Sequence, residues 1–84
     1  MKAIIFQKKA LKQLRKIPTG ADIRRKCSEE LGKFPFCQNV KPLVNHQYMY
    51  RFRVGNYRVM FNLVGQTMNI ISVEEVKKRD ERTY

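Results

Sequence analysis

The chain has 84 residues, 18 of them Lys or Arg against 7 Asp or Glu, for a formal net charge of +11 at neutral pH. That length supplies one core of modest size and leaves no room for a second module or a deep pocket. A positive field of this size favours polyanions or an acidic protein partner and speeds association with them. RNA, DNA and an acidic binding protein are therefore the partner classes it admits.

The N-terminal Met1-Lys2-Ala3-Ile4-Ile5-Phe6 is too short an apolar run for a signal peptide, and no stretch approaches transmembrane length. The expectation is a soluble, cytoplasmic protein that does not meet a membrane. Lys2 to Phe6 has the brevity and β-branched content of a strand, one that joins the same sheet as the later strands. From Gln7 to Ile17 the apolar residues Ala10, Leu11, Leu14 and Ile17 recur at helical spacing, with lysines and Arg15 on the remaining surface, and Pro18 ends the helix. Thr19 stands three residues before Asp22, the spacing of a capping box. Ile23, Cys27, Leu31 and Phe34 then make a second apolar stripe that runs to Pro35, so the two segments form a helical hairpin.

Cys27 falls on that stripe, and neither it nor Cys37 has a metal-ligand neighbour at useful spacing. Both read as reduced thiols, with no metal site. Arg24, Arg25 and Lys26 lie on the basic surface of the second helix. Such faces are first of all solvated surface and secondarily a source of non-specific attraction for RNA. Phe36 to Gln47 contains Pro42 and no clear period, which reads as a loop. Lys41 and His46 lie in it, and both are candidate proton carriers.

The most informative stretch is Tyr48 to Leu63, where two runs rich in aromatic and β-branched residues flank Gly55-Asn56, the signature of a β-hairpin. A loop of two residues, or of four in the same register, sets Val54 against Tyr57, Arg53 against Arg58, Phe52 against Val59, Arg51 against Met60 and Tyr50 against Phe61. A three-residue bulged loop would shift that register. Alternation then collects Tyr50, Phe52, Val54, Tyr57, Val59 and Phe61 on one face, and Arg51, Arg53, Arg58 and Met60 on the other. Like charges directly across a strand pair disfavour the sheet, so Arg53 opposite Arg58 is a conflict of the kind that gathers at functional sites. The competing account is an exposed face with arginine stems lying flat and heads in water.

After the turn at Gly65-Gln66, Met68 to Val76 reads as a further strand whose near-continuous apolar start implies a central position. Lys77 to Tyr84 reads as a charged tail. The sequence holds no Gly-rich phosphate loop, Ser-His-Asp set or carboxylate pair.

The order strand, two helices, three strands resembles the RelE/ParE superfamily of bacterial toxins. The resemblance is carried by Leu43, the hairpin core Tyr50-Arg51-Phe52-Arg53-Val54-Gly55-Asn56-Tyr57-Arg58-Val59, and Val76-Lys77-Lys78-Arg79 with Tyr84. It covers nearly the whole chain. It implies a single α+β domain, residues 1–84, with a small, mostly antiparallel sheet packed against two N-terminal helices. It also implies an antitoxin partner, acidic and wrapped around the toxin.

RelE-like members of that superfamily are ribosome-dependent endoribonucleases that cut translated mRNA, whereas ParE-like members inhibit DNA gyrase and lack the basic and aromatic catalytic set. The RelE pattern maps onto Arg51, Arg53, Arg58, Arg79 and Tyr84 as catalytic residues, and no cofactor is expected; the charges of Arg24, Arg25, Lys26 and Arg82 make them further candidate RNA contacts. Attack of a ribose 2′-OH on the neighbouring phosphate needs a proton acceptor, cations for the developing charge and a proton for the leaving 5′-oxygen. Guanidinium forks suit the second task. The chain departs from RelE in carrying arginine rather than lysine at both Arg51 and Arg53. Because arginine stays protonated, Lys41, His46, Lys77, Lys78 or ribosomal RNA must serve as the proton carrier. A ParE-like gyrase inhibitor and a non-catalytic RNA-binding protein are the alternatives.

Overall fold

The computed structural model describes residues 2–78. A five-stranded sheet runs in the order β1-β5-β4-β3-β2, built from β1 (Ala3–Phe6), β2 (Val40–Pro42), β3 (Tyr50–Val54), β4 (Tyr57–Val64) and β5 (Ile70–Lys78). β1 pairs with β5 in parallel and every other neighbour is antiparallel. Two helices, α1 (Lys8–Lys16) and α2 (Gly20–Lys26), cover one face, and a π turn over Cys27–Leu31 extends the second. The fold is the expected α+β arrangement of a mostly antiparallel sheet backed by two helices.

The core forms where the helical stripes meet the sheet. Leu14, Ile23 and Leu31 pack on Phe52, Val59, Phe61, Ile71 and Val73, all nearly or fully withdrawn from water. Removing such side chains from water supplies the main favourable free energy of folding. Cys27 lies in this layer, and burial pushes its thiol up to about 12. Both cysteines are free thiols.

The hairpin has the two-residue loop and the anticipated pairing, from Val54↔Tyr57 to Tyr50↔Phe61. Gly55 takes φ +56°, and Asn56 is not among the residues with left-handed backbone. Glycine is thus required at the first central position of this turn.

Three expectations are corrected. The segment from Phe36 to Gln47 holds a strand rather than only loop: Val40–Pro42 pairs with β3, and the Arg53 amide donates to the Asn39 carbonyl at 2.9 Å. Pro42 is tolerated because β2 is an edge strand with one neighbour, so its missing N–H costs no ladder bond. Thr19 precedes α2 but forms no side-chain cap, since its φ of −97° and ψ of 20° depart from the extended geometry that aims a cap hydroxyl at the first-turn amides. The close approach of the helices at Gly20 sets this corner: a Cβ there would lie 2.0 Å from the Leu14 carbonyl oxygen. Finally, the last strand starts later and ends later than its apolar run, so that Lys77 and Lys78 belong to β5 and not to a tail.

Candidate nucleic-acid interface

The face of the sheet turned away from the helices carries the basic residues of the hairpin. Arg53 on β3 stands opposite Arg58 on β4, and Arg58 stands opposite Lys77 on β5, so three cations form one row across three strands. The next row runs Lys41, Arg51, Met60 and Glu75 from β2 to β5. Extension of β5 through Lys77 thus brings to the arginines a residue that the sequence alone assigns to a tail, and pairing of β2 with β3 brings Lys41.

Lys78 pairs with Tyr57, whose parity belongs to the core side, so it does not join the row. His46 is exposed, and its Nδ1 accepts the Tyr48 amide proton at 3.1 Å. That bond occupies one of the two nitrogens by which it could carry protons. Arg24 and Arg25 sit on the helical layer, on the opposite side of the sheet from the row. Arg24 lies over the Phe6 ring, 5.2 Å from its centroid, and Arg25 is held by Asp22 at 3.5 Å and Glu29 at 3.7 Å. Lys26 instead lines an open cleft of about 500 Å³ that Arg53 also lines. Arg79, Arg82 and Tyr84 lie outside the described residues.

Sequence reasoning missed Glu75 and Tyr48. β4 and β5 slip register at Met60/Phe61, where Met60 faces Glu75 while Phe61 faces Val73, leaving Glu74 as the extra residue of a bulge. Glu75 is only 6 % exposed. Its Oε2 accepts the Tyr48 hydroxyl at 2.9 Å, and its Oε1 meets Lys9 Nζ at 3.4 Å and Lys77 Nζ at 3.5 Å. Lys9 reaches it from α1 beyond the end of the β1–β5 pairing, where the Gln13 side chain accepts the otherwise free Val76 amide at 2.6 Å.

Burial pushes the Glu75 carboxyl up, but the Tyr48 hydroxyl, Lys77 and Lys9 together outweigh it and hold the group below the usual carboxylate range. Burial, together with the hydrogen bond to Glu75, pushes the Tyr48 phenol up. The local hint of this cluster was Glu74 next to Glu75, two acids between the apolar residues Val73 and Val76.

Arg51 is half-buried beside this cluster, and its Nε is enclosed without a hydrogen-bond partner among the described residues. Among the described residues no group of three or more His, Cys, Asp or Glu is placed to hold a metal ion, and no helix is long and apolar enough to cross a membrane. What the face offers chemically is fixed positive charge: guanidinium forks that match phosphate oxygens, flanked by amines.

Comparison of the fold with solved structures places this face in context. The chain superposes on a protein of the RelBE2 toxin-antitoxin complex of Mycobacterium tuberculosis with a TM-score of 0.76, at 21% identity, covering 93% of this chain and 98% of that one. It has the RelE fold. The isolated RelE toxin of E. coli matches with a TM-score of 0.73 at 19% identity over 96% of this chain and 87% of the toxin. The RelE-RelB complex of the archaeon Pyrococcus horikoshii matches with a TM-score of 0.65 at 22% identity, over 95% and 97% of the two chains. No family model matches the sequence, and neither does any curated relative. The RelE-like architecture is thus shared over nearly the full length, with few residues in common.

Proposed function

We propose that this chain is the toxin of a toxin-antitoxin pair, and that it cuts translated mRNA on the ribosome by driving attack of a ribose 2′-OH on the adjacent phosphate. The single observation that carries this reading is the Arg53–Arg58–Lys77 row, in which like charges stand opposite one another on neighbouring strands. Such a row opposes sheet formation and is relieved by a bound polyanion. The RelE-like fold supports the reading, because structural neighbours of the same architecture are RelE toxins and toxin-antitoxin complexes.

In this mechanism Arg53 and Arg58 grip the scissile phosphate and stabilise the charge that grows on its oxygens, the largest contribution such a site makes. An arginine does not take the 2′-proton. Lys41, opposite Arg51 and without an ion-pair partner among the described residues, is the amine we assign to that step; the Lys77 ammonium, paired with Glu75 before substrate binds, gives a proton to the 5′-oxygen as its bond to phosphorus breaks and the 2′,3′-cyclic phosphate closes. Arg79 adds charge and Tyr84 stacks on a base to hold the attack geometry, the roles that the resemblance implies for them. An acidic antitoxin neutralises the +11 surface until it is removed.

Inducing the protein in cells and mapping transcript ends tests this directly. The expected result is new ends inside coding regions, only on messages under translation and suppressed by co-expressed antitoxin. Intact messages with stalled replication and DNA breaks would overturn it in favour of gyrase inhibition. Tight RNA binding with neither cleavage nor toxicity would leave a non-catalytic RNA-binding protein.

A further inference from the structure

Glu75 is an acid that the proposed reaction does not use, set beside cations that it does. Of the other described carboxylates, Asp22, Glu29 and Glu30 belong to α2 and the turn after it, and Glu74 accepts the Ser72 hydroxyl. Among the described residues Glu75 is thus a carboxylate that touches the basic row, through Lys77.

Its bonds are unequal. The Tyr48 hydroxyl, at 2.9 Å, comes from a buried ring, and Lys9 reaches in from α1 at 3.4 Å, so Glu75 keeps partners whatever Lys77 does. The Lys77 side chain is 59% exposed, lies 3.5 Å away and makes no other ion pair among the described residues. Stripping every cation from a buried carboxylate is costly, but removing one of several is not. The carboxylate is therefore fixed and the ammonium exchangeable.

We propose that Glu75 is a positioning residue, an internal counter-anion that parks the Lys77 ammonium at the end of the Arg53–Arg58 row until a phosphodiester of RNA takes it over. Binding then exchanges one ion pair for another, and the Lys77–Glu75 contact discounts the affinity for any polyanion too small to span the row. The inference rests on the RNA reading above, but its test needs neither ribosome nor cleavage.

Binding of a single-stranded RNA oligonucleotide to the full chain, followed by fluorescence anisotropy over a range of salt, provides that test. Glu75→Gln keeps the shape and an oxygen for the Tyr48 hydroxyl. It is expected to bind roughly three- to tenfold more tightly, with a log–log salt slope steeper by up to about one. In a Lys77→Gln background the same substitution should give no gain, because the cation it would release is gone. Tyr48→Phe, which leaves the Lys77 contact in place, should bind like wild type.

A gain that persists without Lys77 would mean that Glu75 acts only through the general field, and no gain would mean that it does not hold Lys77 back; either overturns the proposal. Should Glu75→Gln fail to fold, the wild-type protein serves instead. The titration midpoint of the Glu75 carboxyl, read by carbon NMR, faces Lys9 on α1, Tyr48 before β3, and Glu74 and Lys77 on β5. Saturating RNA is expected to raise it in wild type and not in Lys77→Gln; an equal rise in both overturns the proposal. A wild-type chain that binds no RNA sinks the RNA reading as well, whereas RNA binding indifferent to Glu75 sinks this inference alone.

Discussion

Arg53 and Arg58 face each other directly across the β3–β4 ladder, and Lys77 continues the row from the far side of Arg58. Opposite charges at these positions would stabilise the sheet by a few tenths to about 1 kcal/mol, and like charges do the reverse. Folding alone does not select this arrangement. Arg53, exposed at its end of the row, separates what the fold wants from what the site wants.

Arg53→Gln should therefore move stability and activity in opposite directions. Thermal unfolding is expected to show a midpoint unchanged or raised, by the equivalent of roughly 0.2–1 kcal/mol. Loss of a charge-assisted contact worth about 1.5–3 kcal/mol should slow single-turnover cleavage of ribosome-bound message about 10- to 150-fold. Parallel losses of stability and rate would return this face to ordinary structural surface.

The Glu75 carboxyl titrates below its ordinary value of 4.5 because Tyr48, Lys77 and Lys9 outweigh its burial. A group whose pKa is depressed on folding contributes stability that is present above the unfolded value and lost as pH falls through the folded one. Wild type should accordingly lose stability below about pH 4.5 more steeply than Glu75→Gln, and the gap between them at pH 7 should narrow in acid. Parallel unfolding curves from pH 7 to 3 would contradict this.

Gly20→Ala tests the corner between the helices. Its Cβ would sit 2.0 Å from the Leu14 carbonyl oxygen, a backbone atom that cannot swing aside. Urea unfolding should show a loss of roughly 1–3 kcal/mol, the usual cost of forcing atoms into a packed site. A neutral result would show that α1 and α2 can slide apart without penalty.

Arg24 and Arg25 lie on the helical layer, across the sheet from the row, and their neutralisation should act on association alone. Each change is expected to lower the salt slope of ribosome binding by no more than about one while cleavage of already bound message survives. For Arg25 the effect should be the smaller, since Asp22 and Glu29 already hold it. Equal kinetic losses from these sites and from Arg53 would erase the division between binding and chemistry.

What could be read from the sequence was local. The hairpin register and its two faces followed from alternation on either side of Gly55-Asn56, and the helices from Leu14 and Ile23 at helical spacing. β2 escaped because three residues ending in proline carry no period, and only Phe52, Arg51 and Tyr50 across the ladder give them strand geometry. Lys77 read as tail because apolar alternation stops at Val76, and its true place depends on Arg58 in another strand. Glu75 was hidden more completely still: two adjacent acids hint at it, but its partner Tyr48 is 27 residues away and Lys9 lies on a helix, so nothing local says what they bind.

The parallel pairing of the first strand with the last bears on how the chain is made. Ala3 has its partner in Ile70 and Phe6 in Val73, so β1 leaves the ribosome long before the strand it needs exists. Contacts of that sequence separation form late and slow the folding of small domains. Until β5 emerges, neither the Arg58–Lys77 pairing nor the Glu75 cluster can form, because both depend on the final strand. The basic row is thus assembled only after β5 has emerged, and a nascent chain that has not yet released that strand does not carry it.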